Sequence, residues 1–124
     1  MKQKFFICEK CGNIVAMVKE GGGRLVCCGQ PMNEIIPGTV EASREKHIPV
    51  YTVDGNRVTV QVGSVTHPMS EEHYIEWISL QTKQGNQRKA LSPTGEPTVC
   101  FTICEGDEVE AVYAYCNLHG LWKA

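Results

Sequence analysis

Four cysteines within the first 28 residues constrain the fold of this chain more than any other sequence feature. Cys8 and Cys11 form a Cys-x-x-Cys pair, and Cys27 and Cys28 are adjacent and followed by Gly29. Adjacent side chains of a regular strand point to opposite faces, so the second pair needs a sharp bend, which a glycine permits. Four thiolates bind zinc or iron. The spacing predicts a distorted tetrahedral metal site. It leaves open iron or a structural zinc ribbon, with a strained vicinal disulfide as a third, disfavoured alternative.

The remaining cysteines and the N-terminal segment bear on the cellular compartment. Cys100, Cys104 and Cys116 bring the total to seven, an odd count that argues against a fully paired disulfide framework. The apolar segment before Cys8 is too short for a signal peptide, and no stretch has the length of a membrane span. We therefore expect a cytoplasmic protein with reduced thiols. The formal charge of −2 comes without a basic run, so neither nucleic acid nor a membrane is an expected partner.

The chain divides at a Pro-Gly pair into two expected domains, 1–36 and 37–124. In the first, strand-like runs at 5–7, 14–19 and 24–27 are separated by turn signals. So small a segment buries too little apolar surface to be stable alone, and a bound metal would stabilise it.

The second domain has the pattern of a β protein. Residues 39–45 are a polar linker or a helical turn. Val58, Val60 and Val62 then alternate with polar residues after an expected hairpin turn at 54–56. Further strands are expected at 74–81, 99–104 and 109–115, the last of them ending the sheet. Short antiparallel strands at this spacing predict a β-sandwich, so the fold class is mainly β.

All four histidines fall in the second domain, at the expected ends of strands or in loops. They are His47, His67, His73 and His119, and the last follows Cys116 by three residues. A single histidine on a loop is usually a solvated side chain. Four of them, one beside a cysteine at ligand spacing, favour a mixed imidazole and thiolate metal site. Imidazoles suit ferrous iron, and five protein ligands leave one octahedral position open.

Four segments resemble the signature segments of the superoxide reductases. They are EKHIPV at 45–50, VTHPM at 65–69, EHYIEWI at 72–78 and YCNLHGLW at 115–122. The four-cysteine segment resembles desulforedoxin, so the whole chain is similar to the two-domain type, the desulfoferrodoxins. The resemblance implies a desulforedoxin-like domain followed by an immunoglobulin-like antiparallel sandwich. It also implies two mononuclear irons per chain, although recombinant protein can load zinc at the N-terminal site.

The resemblance implies a set of roles for these residues. His47, His67, His73 and His119 would surround the catalytic iron in a plane, with Cys116 as the axial thiolate. This iron would reduce superoxide to hydrogen peroxide, with electrons from an external donor such as rubredoxin, in a homodimeric protein.

Two residues next to His47 have roles only by this resemblance. Lys46 would steer superoxide and stabilise the peroxide, and Glu45 would occupy the open iron position in the resting ferric state. The sequence alone equally allows a solvated lysine and a surface carboxylate.

Three other functions remain open on the sequence. Both irons could serve only as electron carriers, or the chain could be a zinc-stabilised binding module with surface histidines. Dismutation is disfavoured, because thiolate donation stabilises ferric iron and opposes oxidation of superoxide.

Several other residues have no expected function. Trp77, Tyr113 and Tyr115 are expected to pack in the core rather than carry electrons. Cys100 and Cys104 are expected to be free thiols on one strand face, about 13 Å apart.

Overall fold

The computed structural model describes residues 2–124 and divides the chain into two compact units, which meet in sequence at Ile36 and Pro37. The first unit contains five short strands: β1 (Phe5–Ile7), β2 (Ile14–Ala16), β3 (Val26–Cys27), β4 (Gln30–Pro31) and β5 (Asn33–Glu34). Antiparallel pairing joins them as β2-β1-β5 and as a β3-β4 hairpin. The strands expected at 14–19 and 24–27 are shorter than predicted.

The first unit buries very little apolar surface. Phe5 and Cys8 are its only buried residues among those that the structure describes. Val18 is 89% exposed and Val26 is 61% exposed. With so small a core, a metal bound by the cysteines would supply much of the folding energy of this unit.

The second unit is an antiparallel β-sandwich that follows a single helical turn, and it confirms the predicted fold class. Its elements are α1 (Arg44–His47), β6 (Pro49–Asp54), β7 (Arg57–Val62), β8 (Ile75–Thr82), β9 (Gly85–Ala90), β10 (Thr98–Thr102), β11 (Val109–Cys116) and β12 (Gly120–Lys123). One sheet has the order β10-β7-β6, and the other has the order β12-β11-β8-β9. Within residues 2–124, no helix has the length and apolar character needed to cross a membrane.

The core lies between the two sheets, and the alternating valines form part of it as predicted. Val58, Val60 and Val62 of β7 are fully buried, and they cluster with Ile78 and Leu80 of β8. Each such side chain contributes about 1.5–3 kcal/mol when it leaves water. The hairpin expected at 54–56 joins β6 to β7.

Two sequence expectations in this unit were wrong, and one strand was missed. The strand at 109–115 is not the last, because β12 follows it. Strand β9 was not foreseen, since all six of its residues are exposed and show no apolar alternation. Strand β10 ends at Thr102, so Cys104 lies beyond it and does not share a strand face with Cys100. Both cysteines are free thiols, as expected.

Candidate metal centres

The four N-terminal cysteines converge on one point. Their sulfur atoms all lie within 4.8 Å of one another, and the Sγ atoms of Cys11 and Cys27 are 3.7 Å apart. Cys8 follows β1, and the Gly12 N–H donates to its carbonyl oxygen at 2.8 Å, which closes the loop around the first pair. The bend expected at the second pair is present, because Cys28 has φ 52° and Gly29 has φ 75°.

The protonation of these thiols fits a shared cation. The backbone N–H of Cys11 lowers the pKa of Cys8 to about 7, whereas the Cys11 side chain raises the pKa of Cys28 to about 12. Four sulfurs at this spacing cannot all ionise together unless a positive ion lies between them. A four-thiolate set of this kind is suited to iron or zinc.

The histidines and the last cysteine of the sandwich form a second cluster. Ring nitrogens of His47, His67 and His73 and the sulfur of Cys116 lie within 4.8 Å of one another. His119 adjoins them, with its Nδ1 3.1 Å from His47 Nε2 and 3.9 Å from Cys116 Sγ. The structure therefore brings together all five residues that the sequence predicted for this site.

The four imidazole rings are arranged around a square. Successive ring centroids from His47 through His67, His73 and His119 and back to His47 are 4.7, 4.7, 5.0 and 4.9 Å apart. The His47–His73 diagonal is longer, at 6.3 Å. Neighbouring rings are nearly perpendicular, with interplanar angles between 76° and 87°. This arrangement surrounds one point with four imidazoles, where a single ion could be bound.

Each residue of this cluster lies at the end of an element or in a loop that joins two elements. His47 ends α1, His67 lies in the turn after β7, and His73 precedes β8. Cys116 ends β11, and His119 lies in the loop before β12. Cys116 is still paired in the sheet, with Ile75 and Gly120, whereas the four histidines lie outside the strands.

Backbone carbonyls determine the tautomers of two histidines. His47 Nδ1 donates to the Ser43 carbonyl oxygen and His67 Nδ1 to the Pro68 carbonyl oxygen, each at 2.6 Å. The two Nε2 atoms therefore carry lone pairs in the neutral rings, yet they lie only 3.3 Å apart. Protonation would relieve this repulsion, but burial lowers the pKa of His67 to about 4. A metal cation between the lone pairs resolves the conflict and fits this donor set.

Two further donors agree with a cation at this point. His73 Nε2 is buried, and no hydrogen-bond partner for it exists among the described residues. Burial raises the pKa of the Cys116 thiol, although the backbone N–H groups of Leu118 and His119 act in the opposite direction. A fully buried thiolate is therefore favoured only with a positive charge beside it.

Glu45 and Lys46 lie outside the donor cluster, exposed on the helical turn that ends at His47. The loop after β7 holds this turn, because the Val65 N–H donates to the Glu45 carbonyl oxygen at 2.9 Å. Gly63, which the sequence motifs did not indicate, also packs against the turn. A Cβ at Gly63 would lie 2.8 Å from the Lys46 carbonyl oxygen. The only indication of this role in the sequence was the position of the glycine directly after a buried strand.

Two family models match the chain in sequence. The one described as Desulfoferrodoxin matches residues 39–124, and the one described as Desulfoferrodoxin, N-terminal domain matches residues 1–35. The chain belongs to the desulfoferrodoxin family. The resemblance indicated by the sequence motifs is thereby confirmed.

Similar proteins cover nearly the whole chain. The desulfoferrodoxin homolog of Archaeoglobus fulgidus is 51% identical over 117 residues, which are 94% of this chain and 92% of that protein. The desulfoferrodoxin of Syntrophotalea carbinolica is 46% identical over 123 residues, 99% of this chain and 96% of that protein. Among solved structures, the superoxide reductase of Treponema pallidum superposes with a TM-score of 0.85 at 40% identity, covering 100% of this chain and 99% of the other. The two-unit desulfoferrodoxin architecture therefore extends across the full sequence.

Proposed function

We propose that this protein is a superoxide reductase, which reduces superoxide by one electron to hydrogen peroxide. The observation that carries the proposal is the square of four imidazoles with a buried cysteine beside it. We further propose that residues 1–36 are a desulforedoxin-like metal domain and that residues 37–124 are the catalytic domain. The protein would be cytoplasmic and homodimeric.

Two ligand sets would hold one iron each. The four imidazoles of His47, His67, His73 and His119 and the thiolate of Cys116 would hold the catalytic iron. The N-terminal iron, for which zinc can substitute, would be held by the four thiolates of Cys8, Cys11, Cys27 and Cys28. When bound, the catalytic iron supplies the electron that, together with two protons, converts superoxide to hydrogen peroxide.

The protein residues prepare this site before the substrate arrives. The carbonyl oxygens of Ser43 and Pro68 hold the rings of His47 and His67 with Nε2 directed inward. Four neutral imidazoles and one thiolate leave a ferrous site with net positive charge, which attracts an anion. The exposed ammonium of Lys46 would add to this attraction, and it would also stabilise the negative charge of the reduced peroxide until two protons have been added.

The other roles proposed here concern Glu45 and the electron source. Glu45 precedes Lys46 on the same exposed helical turn, and its carboxylate would occupy the open iron position in the oxidised resting state. Electrons would come from an external donor such as rubredoxin. The N-terminal metal would stabilise its own unit, whose few buried residues support that role.

The test is rapid mixing of the fully reduced protein with a superoxide solution. The absorption of the oxidised imidazole-thiolate site should appear at a rate proportional to superoxide concentration. One hydrogen peroxide should form per superoxide, without dioxygen. Dioxygen release with one peroxide per two superoxides would instead indicate dismutation. No oxidation of this site would reject the enzyme in favour of an electron carrier.

A further inference from the structure

The pairing of β8 with β11 ends beside the imidazole-thiolate site. The last paired residues are Ile75 and Cys116, and a register shift separates Tyr115 from Cys116. Beyond this point the backbone ladder no longer fixes the position of His73, which precedes β8, relative to Cys116. Another contact must hold the two segments together.

Asn117 provides that contact through both ends of its side-chain amide. Its Oδ1 accepts a hydrogen bond from the Tyr74 N–H at 2.9 Å, and its Nδ2 donates to the Glu72 carbonyl oxygen at 3.0 Å. The Asn117 backbone N–H donates to the Tyr74 carbonyl oxygen at 3.2 Å. The side chain thus pairs with backbone groups on both sides of His73, as a neighbouring strand would.

The remaining restraint on the His73 backbone is local. The Ser70 N–H donates to the His73 carbonyl oxygen at 2.9 Å, and the His73 N–H donates to Ser70 Oγ at 3.2 Å. These bonds shape the turn before β8, but they do not link it to β11. The link between His73 and the segment that carries Cys116 and His119 runs through Asn117.

We propose that Asn117 is a positioning residue that sets the place of His73 relative to Cys116 and His119, through paired hydrogen bonds to Glu72 and Tyr74. This inference rests on the proposed function insofar as these three residues are taken to bind the catalytic metal. Asparagine suits the position because it offers one acceptor and one donor. Aspartate would keep the acceptor for Tyr74 and place a second oxygen against the Glu72 carbonyl.

The experiment compares Asn117→Ala and Asn117→Asp with the wild type in the full-length protein, loaded with iron for the first readout and with zinc for the second. The first readout is the rate at which a chelator removes iron from the imidazole-thiolate site. The loss of the thiolate-to-iron absorption band of that site measures this rate. The second is hydrogen exchange of the Tyr74 amide, measured by NMR on the zinc-loaded chain. Asn86→Ala is the matched control, because Asn86 is exposed on β9.

Asn117→Ala should release this iron roughly 10-fold faster, the lower end of the effect of removing an outer hydrogen-bonding partner of a metal site. Its Tyr74 amide should exchange faster, whereas Asn117→Asp should restore the protection of that amide. The Asn86→Ala control should match the wild type in both readouts. Wild-type iron release and Tyr74 protection in Asn117→Ala would overturn the proposal. Unprotected, fast hydrogen exchange of the Tyr74 amide in Asn117→Asp would also overturn the proposal. This second criterion applies even if Asn117→Ala fails to fold.

A parallel His73→Ala variant separates this inference from the proposed function. If that variant keeps its iron as the wild type does, His73 is not a metal ligand and the proposed site is wrong. If it loses iron while Asn117→Ala does not, the site stands and the positioning role of Asn117 is rejected. The four-cysteine site of the same molecules serves as an internal reference for iron loading.

Discussion

Two histidines of the imidazole-thiolate cluster are oriented by backbone carbonyls rather than by carboxylates. Both His47 and His67 donate from Nδ1 to a carbonyl oxygen. A carboxylate in the same place would orient the ring equally well, but it would add a negative charge next to the metal. Neutral acceptors preserve the positive charge of the site. Because the proposed substrate is an anion, neutral acceptors beside His47 and His67 favour its attraction to the metal that these rings would bind.

Lys46 is the residue where this attraction can be tested directly. Lys46→Ala should lower the second-order rate constant for superoxide roughly 10-fold at low ionic strength, because it removes the exposed cation beside the site. The remaining rate should also depend less steeply on salt. Lys83→Ala is the control, since Lys83 is equally a surface lysine but is paired with Glu108 at 2.9 Å. Rapid mixing at several salt concentrations measures both effects, and an unchanged salt dependence would refute the steering role.

Cys100 has an electrostatic environment that the sequence did not reveal. Arg57 Nη2 lies 3.3 Å from its sulfur, and Thr59 Oγ1 lies 3.7 Å from it. These contacts, the arginine first, lower the pKa of the Cys100 thiol. The thiolate should therefore persist to lower pH than in a variant without the arginine.

The corresponding prediction concerns the pH dependence of alkylation. Iodoacetamide modification of Cys100, followed by mass spectrometry, should have its midpoint at lower pH in the wild type than in Arg57→Leu, because thiolate is the reactive form. Arg24→Leu, in the first unit, should leave that midpoint unchanged. Equal midpoints in the wild type and Arg57→Leu would show that the guanidinium does not stabilise the thiolate.

At the scale of elements, the turn α1 is held in place by the loop that follows β7. Gly63 has φ 87°, and a Cβ there would lie 2.3 Å from the Val65 carbonyl oxygen and 2.9 Å from that of Glu45. These neighbours are backbone atoms, which cannot turn aside as a flexible side chain could. A side chain at this position would therefore have to displace the turn that carries Glu45 and Lys46.

Gly63→Ala should destabilise the sandwich more than Gly106→Ala. Gly106 has nearly the same φ, 86°, but open space around its missing Cβ. The control should lose about 1–2 kcal/mol from the left-handed backbone alone, and Gly63→Ala should lose at least about 1 kcal/mol more through overpacking. Urea unfolding measures the difference. Equal losses would mean that the turn yields without strain, and its position would then not depend on Gly63.

Elements with a buried alternating face could be predicted from the sequence, and exposed ones could not. Strand β7 was predicted because three valines alternate with polar residues, and the structure buries all three. Strand β9 shows no such pattern. It is a strand because it pairs with β8, and not because one of its faces is buried. The donor residues of both metal centres were predicted, since cysteine and histidine carry their chemistry in their identity. The contacts of Asn117 and Gly63 could not be predicted, because each depends on a distant segment brought close by the fold.

For the whole molecule, the two units differ in what stabilises them. The sandwich has a continuous apolar core from both of its sheets. Among the described residues of the first unit, only Phe5 and Cys8 are buried. If metal binding supplies the folding energy of the first unit, its loss should unfold that unit selectively.

The double variant Cys11→Ser and Cys28→Ser tests this difference, because it removes two of the four thiolates from the N-terminal centre. Metal binding there should be lost, and residues 2–36 should become sensitive to proteolysis, because the remaining apolar contacts cannot offset the chain entropy. The sandwich should keep its imidazole-thiolate absorption band, since none of that site's donors has changed. Cys104→Ser is the matched control, as Cys104 is an exposed free thiol outside both centres. Protease resistance of residues 2–36 in the metal-free variant would show that packing alone maintains the first unit.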